Sequence, residues 1–147
     1  RNKVRKALPL FQTIHSIDSL KLARYTSNIA GEIGKKPDVY LQVDLAGEET
    51  KNGYHPNKIK SELDDLLALE NLSILGLMCI PPMASTPEEA RPWFVKLREL
   101  RDELEHSAGQ SLPGLSMGMS GDFEVAIEEG STIVRVGSAI FGSRTYH

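Results

Sequence analysis

Short apolar runs alternate along the chain with longer stretches in which apolar residues recur at helical spacing. Five runs predict β-strands, at residues 11–16, 38–46, 73–80, 114–119 and 132–136. The third, SILGLMCI, is almost wholly apolar, which is typical of a parallel strand covered on both faces. The pattern therefore predicts a parallel sheet with a helix between successive strands.

The stretches between the strands predict four amphipathic helices. Asp18 is the candidate N-cap of the first, and Pro56 suits the first turn of the second. Thr86-Pro87-Glu88-Glu89 has the form of a capping box at the start of the third, and Pro92 predicts a kink or a late start there. The apolar stripe of the first helix comprises Leu22, Tyr25, Ile29 and Ile33, and that of the third comprises Trp93, Leu97, Leu100 and Leu104. A shorter fourth helix is expected to begin near Asp122.

This alternation of strands and helices fits either an open doubly wound sheet or a (β/α) barrel. The residues alone leave that choice open. The sequence contains no internal repeat, low-complexity tract or linker rich in Pro, Gly or Ser. We therefore expect one α/β domain over residues 1–147.

Composition argues against several classes of partner. Hydrophobic residues make up 40% of the chain and charged residues 25%, as in ordinary globular proteins. Because 17 Lys and Arg stand against 20 Asp and Glu, the net charge is −3, which favours no nucleic-acid partner. No run of ~18 apolar residues predicts a membrane span. The single cysteine, Cys79, cannot form an internal disulfide, so we expect a reducing, cytoplasmic location.

The loops after the last two predicted strands carry the clearest chemical signal. Ser120-Gly121 follows the fourth strand and Gly137-Ser138 follows the fifth, and each pair stands where a strand gives way to a helix. Such junctions present free backbone N–H groups and a positive helix end, which suits a phosphate. The alternative is that the glycines form tight turns and the serines cap helices.

Arg135 is a charged residue in a strand that is otherwise β-branched and apolar. A guanidinium in that setting requires an acceptor such as a phosphate, a ring nitrogen or a carboxylate. A structural ion pair with an acidic residue such as Asp44 is the alternative interpretation.

Other candidate motifs are weaker. The spacing from Gly137 to Arg144 approaches a phosphate-binding P-loop but lacks its lysine, so we reject it. Cys79 has no indicated histidine partner and is expected to be a buried thiol. The four histidines show no metal-ligand spacing, and we expect no metal site. For His15, core packing or a hydrogen bond is favoured over a role in a pocket.

Four segments together resemble the YggS/PROSC family of pyridoxal 5′-phosphate (PLP) homeostasis proteins. They are SMGMSGD at 116–122, VRVGSAIFG at 134–142, TIHSIDSL at 13–20 and GLMCIP at 76–81. The resemblance covers essentially all 147 residues. It implies a TIM barrel of the alanine racemase N-terminal domain type, of which this chain supplies about the last five βα units. It also implies that Ser120, Gly137 and Ser138 bind the cofactor phosphate and that Arg135 faces the pyridine nitrogen.

The same resemblance implies a role in intracellular PLP (vitamin B6) and amino-acid homeostasis without significant turnover, and therefore not an enzyme. An arginine donor fits this role because its permanent charge favours the unprotonated ring and weakens the cofactor as an electron sink. The alternatives are a PLP-dependent racemase-type enzyme, a barrel enzyme acting on another small phosphate ester, and an interaction module with a vestigial pocket.

The chain departs from the family pattern at its beginning. Family members attach PLP to a lysine at the end of the first barrel strand, and that strand and the next two have no counterpart here. None of the lysines in this sequence stands in the family's lysine motif. Since five βα units leave edge strands unpaired, we expect a monomer or a weak dimer.

Overall fold

A computed structural model describes residues 2–10, 12–47 and 53–136. Within these ranges five strands alternate with helices, as predicted. The elements are α1 (Asn2–Ala7), β1 (Thr13–Ile17), α2 (Leu20–Glu32), β2 (Asp38–Gln42), α3 (Pro56–Leu67), β3 (Ser73–Met78), α4 (Pro87–Ala108), β4 (Gly114–Met119), α5 (Phe123–Glu128) and β5 (Ile133–Arg135). None of the helices in the described ranges is long and apolar enough to cross a membrane.

The order of the strands settles the choice between the two architectures. All neighbouring strands are parallel, and the order in the sheet is β1-β2-β3-β4-β5. A doubly wound sheet reverses its strand order at a switch point, where helices change from one face to the other. Right-handed crossovers without a reversal keep the helices on one face and leave the other face concave. The described residues therefore form five consecutive strands of a (β/α) barrel, together with the helices between them.

A hydrogen bond across the concave face shows how strongly the sheet curls. The Nδ1 atom of His15, on β1, lies 2.8 Å from the Oγ atom of Ser116, on β4. In a flat sheet these strands would be about 14 Å apart, since each neighbour adds about 4.8 Å. Curvature of the barrel type brings the two side chains together.

The core lies between the convex face of the sheet and the helices. Its cluster includes Val39 and Leu41 from β2 and Leu77 from β3, each fully buried. Burial of a large aliphatic side chain contributes roughly 1.5–3 kcal/mol. Helices α3 and α4 add the fully buried Ile59 and Phe94 to the same cluster.

The predicted face of α2 was wrong in part. The buried positions are mainly small residues, Ala23, Thr26, Ser27 and Ala30, together with Ile29. Of the predicted stripe, Ile29 is buried, whereas Ile33 is exposed. Small side chains let the helix pack closely on the sheet, and a search for large apolar residues overlooks them.

The predictions for the starts of two helices are confirmed only in part. Ser19, not Asp18, caps α2, because its Oγ accepts a hydrogen bond from the backbone N–H of Leu22 at 3.1 Å. Helix α4 begins at Pro87, directly after Thr86, as the predicted capping box indicates, although the Thr86 side chain makes no cap hydrogen bond. The helix continues through Pro92, so the alternative of a late start is wrong.

Three residues of the predicted stripe of α4 are buried, Leu97, Leu100 and Leu104. The fourth prediction was wrong, because Phe94 is buried in place of its half-buried neighbour Trp93, and one position along a helix turns the side chain by about 100°.

A pair of glycines brings β3 and β4 close together on the concave face. Gly76 and Gly114 are partners in the sheet, and a Cβ atom at Gly76 would overlap the carbonyl oxygen of Gly114. A Cβ atom at Gly114 would lie 2.5 Å from Cε1 of Tyr40. Gly76 therefore permits the close approach of the two strands, and Gly114 leaves room for the Tyr40 ring on the inner face of the barrel.

Candidate functional site

Arg135 ends β5 at the carboxyl edge of the sheet, on the strand next to the Ser120 turn. Its half-buried side chain donates from Nη2 to the carbonyl oxygen of Cys79 at 3.1 Å. The alternative ion pair with Asp44 is absent from the described residues, and Asp44 Oδ1 instead accepts from the backbone N–H of Gly47 at 3.1 Å. Arg135 is thus held by a backbone carbonyl and not by a carboxylate.

The Nε–H group of Arg135 distinguishes this side chain from a structural arginine. Nε is buried and has no hydrogen-bond partner within the described part of the chain. Burial lowers the pKa of the guanidinium, while the Asp122 carboxylate is among the groups that raise it. A buried donor without a partner is uncommon in folded proteins. An acceptor such as a ring nitrogen or a phosphate oxygen would satisfy it.

The Ser120 turn is shaped by the residues on either side of it. Gly118 has φ +101°, and a Cβ atom there would lie 2.6 Å from Cβ of Ala126 on α5. Asp122 stands before the first residue of α5, as predicted, but its Oδ1 accepts from the backbone N–H of Met119 at 2.7 Å and does not cap the helix. This bond closes the turn that carries Ser120 beside the end of β5.

An ion-pair network ties α5 to the long helix α4. Arg91 contacts Glu129 at 2.6 Å and Glu128 at 2.8 Å, and Arg98 contacts Glu129 at 2.8 Å. Hydrogen bonds from Arg91 and then Arg98 lower the pKa of Glu129. Isolated surface pairs contribute little to stability, but several charges joined in a network hold a defined geometry. The helix that follows the Ser120 turn is thereby fixed at its far end.

Beneath Arg135, the inner face of the barrel carries a layer formed by His15, Tyr40 and Ser116. The rings of His15 and Tyr40 stack with their centroids 4.7 Å apart and 19° between planes. Ser116 is fully buried and bonds to His15 across the sheet. The expected hydrogen bond of His15 is thus confirmed, whereas Tyr40 and Ser116 were not among the predicted site residues. The signal for Tyr40 was its alternation with the core residues Val39 and Leu41.

We expect His15 to make stability depend on pH. Burial, and to a smaller extent the charge of Arg135, lower its pKa below the ordinary value of 6.5. The unfolded chain therefore binds the His15 proton more readily, so stability is complete above about pH 6.5 and is lost as the pH falls toward the lower folded pKa. Urea unfolding at pH 7.5 and 5.0 tests this. A His15→Asn variant should lose less stability than wild type over that interval, and an equal loss would contradict the assignment.

Cys79 is the buried thiol that the sequence predicted, and it contributes its backbone rather than its sulfur. Burial raises the pKa of the thiol to about 12. We therefore expect Cys79 in the folded protein to react with iodoacetamide at pH 8 at least ~100-fold more slowly than in urea, since the thiolate is the nucleophile. Mass spectrometry of quenched samples measures both rates. Rapid alkylation of the folded protein would contradict the buried placement.

The second half of the predicted phosphate site cannot be placed. Gly137 and Ser138 lie outside the described residues, as does the rejected P-loop-like segment. Ser120 and Arg135 are brought to the same edge of neighbouring strands. The structure thus describes one side of the predicted cup, and the binding roles of Ser120, Arg135, Gly137 and Ser138 all stay predictions. Among residues 2–10, 12–47 and 53–136, no three His, Cys, Asp or Glu side chains are grouped so that they could hold a metal ion.

Comparison with known proteins places this geometry among relatives. The family model described as alanine racemase, N-terminal domain, matches residues 2–145. A pyridoxal phosphate homeostasis protein of Aquifex aeolicus is 49% identical over 145 residues, which are 99% of this chain and 64% of that protein. The chain thus spans slightly less than two thirds of the length of that relative.

Solved structures give the same picture. PipY of Synechococcus elongatus, solved with PLP bound, is 42% identical with a TM-score of 0.90 over 96% of this chain and 66% of that chain. An alanine racemase of Clostridium difficile 630 is 18% identical with a TM-score of 0.78 over 99% of this chain and 38% of its own. The second likeness concerns the fold alone.

Proposed function

Because this chain belongs to the alanine racemase N-terminal domain family, we propose that it supplies the phosphate- and ring-binding side of a protein that holds PLP for vitamin B6 and amino-acid homeostasis. The buried Nε–H of Arg135 is the observation that carries this proposal. It needs an acceptor that approaches from the concave side of the barrel, and the nitrogen of a pyridine ring is such an acceptor.

Different residues of the site would bind different parts of the cofactor. Ser120, on the turn closed by Asp122, would bind the phosphate, together with Gly137 and Ser138 on the next loop. Arg135 would donate to the ring nitrogen. When bound, PLP supplies an aldehyde and a ring that can withdraw electrons from an attached amino acid.

The surroundings of Arg135 favour a carrier over a racemase. A permanent cation at the ring nitrogen opposes its protonation and so weakens electron withdrawal by the ring. Racemisation also needs a base on each face of the substrate carbon. The nearby thiol and phenol are poor candidates, because burial raises the pKa values of both Cys79 and Tyr40.

Binding of 4′-deoxypyridoxine 5′-phosphate tests the proposal directly. This analogue keeps the ring nitrogen and the phosphate of PLP but has no aldehyde, so its affinity does not depend on a lysine. Equilibrium dialysis against the purified protein should give a Kd in the micromolar range for the analogue. Pyridoxine, which lacks the phosphate, should bind at least about 100-fold more weakly. Equal affinities, or no binding of the analogue, would overturn the proposal.

Two further assays separate the alternatives. With saturating PLP, the protein should not interconvert L- and D-alanine, and measurable turnover would overturn the carrier assignment. Ribose 5-phosphate at millimolar concentration should not displace the analogue. Displacement would instead favour a barrel enzyme that acts on another phosphate ester.

A further inference from the structure

We propose that His15 is a positioning residue for Arg135, acting through Ser116 and Cys79. The inference rests on the proposed function, since it concerns how Arg135 is presented to a pyridine nitrogen. Three hydrogen bonds connect the residues in series. His15 Nδ1 lies 2.8 Å from Ser116 Oγ, the carbonyl oxygen of Ser116 accepts from the backbone N–H of Cys79 at 3.2 Å, and the carbonyl oxygen of Cys79 accepts from Arg135 Nη2 at 3.1 Å.

Ser116 is the branch point of this series. Its side chain is anchored across the barrel by His15, and its backbone fixes the end of β3 on one side. On the other side it pairs with Ile133, two residues before Arg135. A shift of Ser116 would therefore move both the acceptor and the strand that hold the guanidinium.

His15 is itself held by its surroundings. Its ring stacks on Tyr40, and the Tyr40 ring lies against Gly114, where a side chain would strike it. Barrel interiors are usually filled by bulky aliphatic side chains. Here aromatic, hydroxyl and glycine residues replace them. A hydrogen-bonded layer of this kind is directional, so it fixes positions that an aliphatic layer would only fill.

The ring-nitrogen pKa of bound 4′-deoxypyridoxine 5′-phosphate reports the position of Arg135. The cation opposes protonation of the nitrogen, and this effect weakens as the guanidinium moves away. Ultraviolet absorption follows the protonation, because the two ring forms of a 3-hydroxypyridine absorb differently. Three variants of the purified protein are compared with wild type at saturating analogue.

His15→Phe keeps a ring that can stack on Tyr40 but removes the bond to Ser116, and it should raise the ring-nitrogen pKa by about one unit. His15→Asn keeps a polar group near the position of Nδ1 and should restore the wild-type value. Ile59→Val, in the core on the other side of the sheet, is the control for a general loss of stability. It should lower the free energy of unfolding by about 1 kcal/mol and leave the ring-nitrogen pKa unchanged.

The outcomes separate this inference from the proposed function. An unchanged pKa in His15→Phe, or an equal rise in Ile59→Val, would overturn the positioning role while leaving PLP binding intact. Failure of the wild-type protein to bind the analogue would overturn the proposed function, and the inference with it.

Discussion

Replacement of Arg135 by methionine is expected to weaken binding of 4′-deoxypyridoxine 5′-phosphate by about 10- to 100-fold without destabilising the protein. The loss of affinity follows from removing a charged hydrogen-bond donor, which is worth about 1.5–3 kcal/mol. Stability should stay the same or rise, because the variant removes a partly buried cation whose Nε has no partner in the described residues. Equilibrium dialysis and urea unfolding without ligand measure the two effects.

Arg101 provides the matched control for this prediction. Its side chain is 15% exposed, and it donates from Nε to Asp102 and from Nη1 to the carbonyl oxygens of Leu112 and Pro113. Arg101→Met should therefore lower stability and leave analogue affinity unchanged. If Arg135→Met instead lowered stability as much as Arg101→Met does, Arg135 would be a structural residue.

Substitution of Gly76 by alanine is expected to destabilise the protein by about 3 kcal/mol or to prevent folding. The added methyl group would overlap the carbonyl oxygen of Gly114, and two hydrogen-bonded strands cannot separate there without losing their pairing. The layer formed by His15, Tyr40 and Ser116 would shift as well, because the Tyr40 ring lies against Gly114. Urea unfolding monitored by circular dichroism measures the effect on stability.

Gly121→Ala is the control for the glycine prediction. Nothing lies within 4 Å of a Cβ atom at Gly121, and its φ is not positive, so the change in stability should stay within about 0.5 kcal/mol. Near-wild-type stability of Gly76→Ala would show that β3 and β4 can separate without cost. That result would contradict the close approach described above.

The sequence predicted the strands well because each is a short run that lies between stretches of helical spacing, and β3 is also almost wholly apolar. The fourth predicted strand, residues 114–119, agrees with β4 at both ends, and the others differ by a few residues. The buried face of α2 was harder to predict, because it is formed mainly by small residues such as Ala23 and Ala30 and not by large apolar ones. The choice of a barrel depended on strand order, which reflects the sheet as a whole and not any one segment.

The site was predicted in part for a similar reason. Arg135 could be identified because a charge in an apolar strand is anomalous on its own. The connection from His15 to Arg135 could not be, since two of its three hydrogen bonds use backbone carbonyl oxygens, which every residue possesses. It also requires β1 and β4 to meet across a curled sheet.

The bond between His15 and Ser116 has a consequence for the order of folding. Each strand pairs with its successor along the chain, so βα units can dock one after another with short loop closures. The His15–Ser116 contact joins residues 101 positions apart and requires four strands to be in place. We therefore expect the layer of His15, Tyr40 and Ser116 to form late in folding. Hydrogen exchange should reveal partial openings of the sheet that disrupt this layer while the individual helices stay folded. A ligand that needs Arg135 in position would then bind the completed barrel in preference to these open states and draw the population toward it.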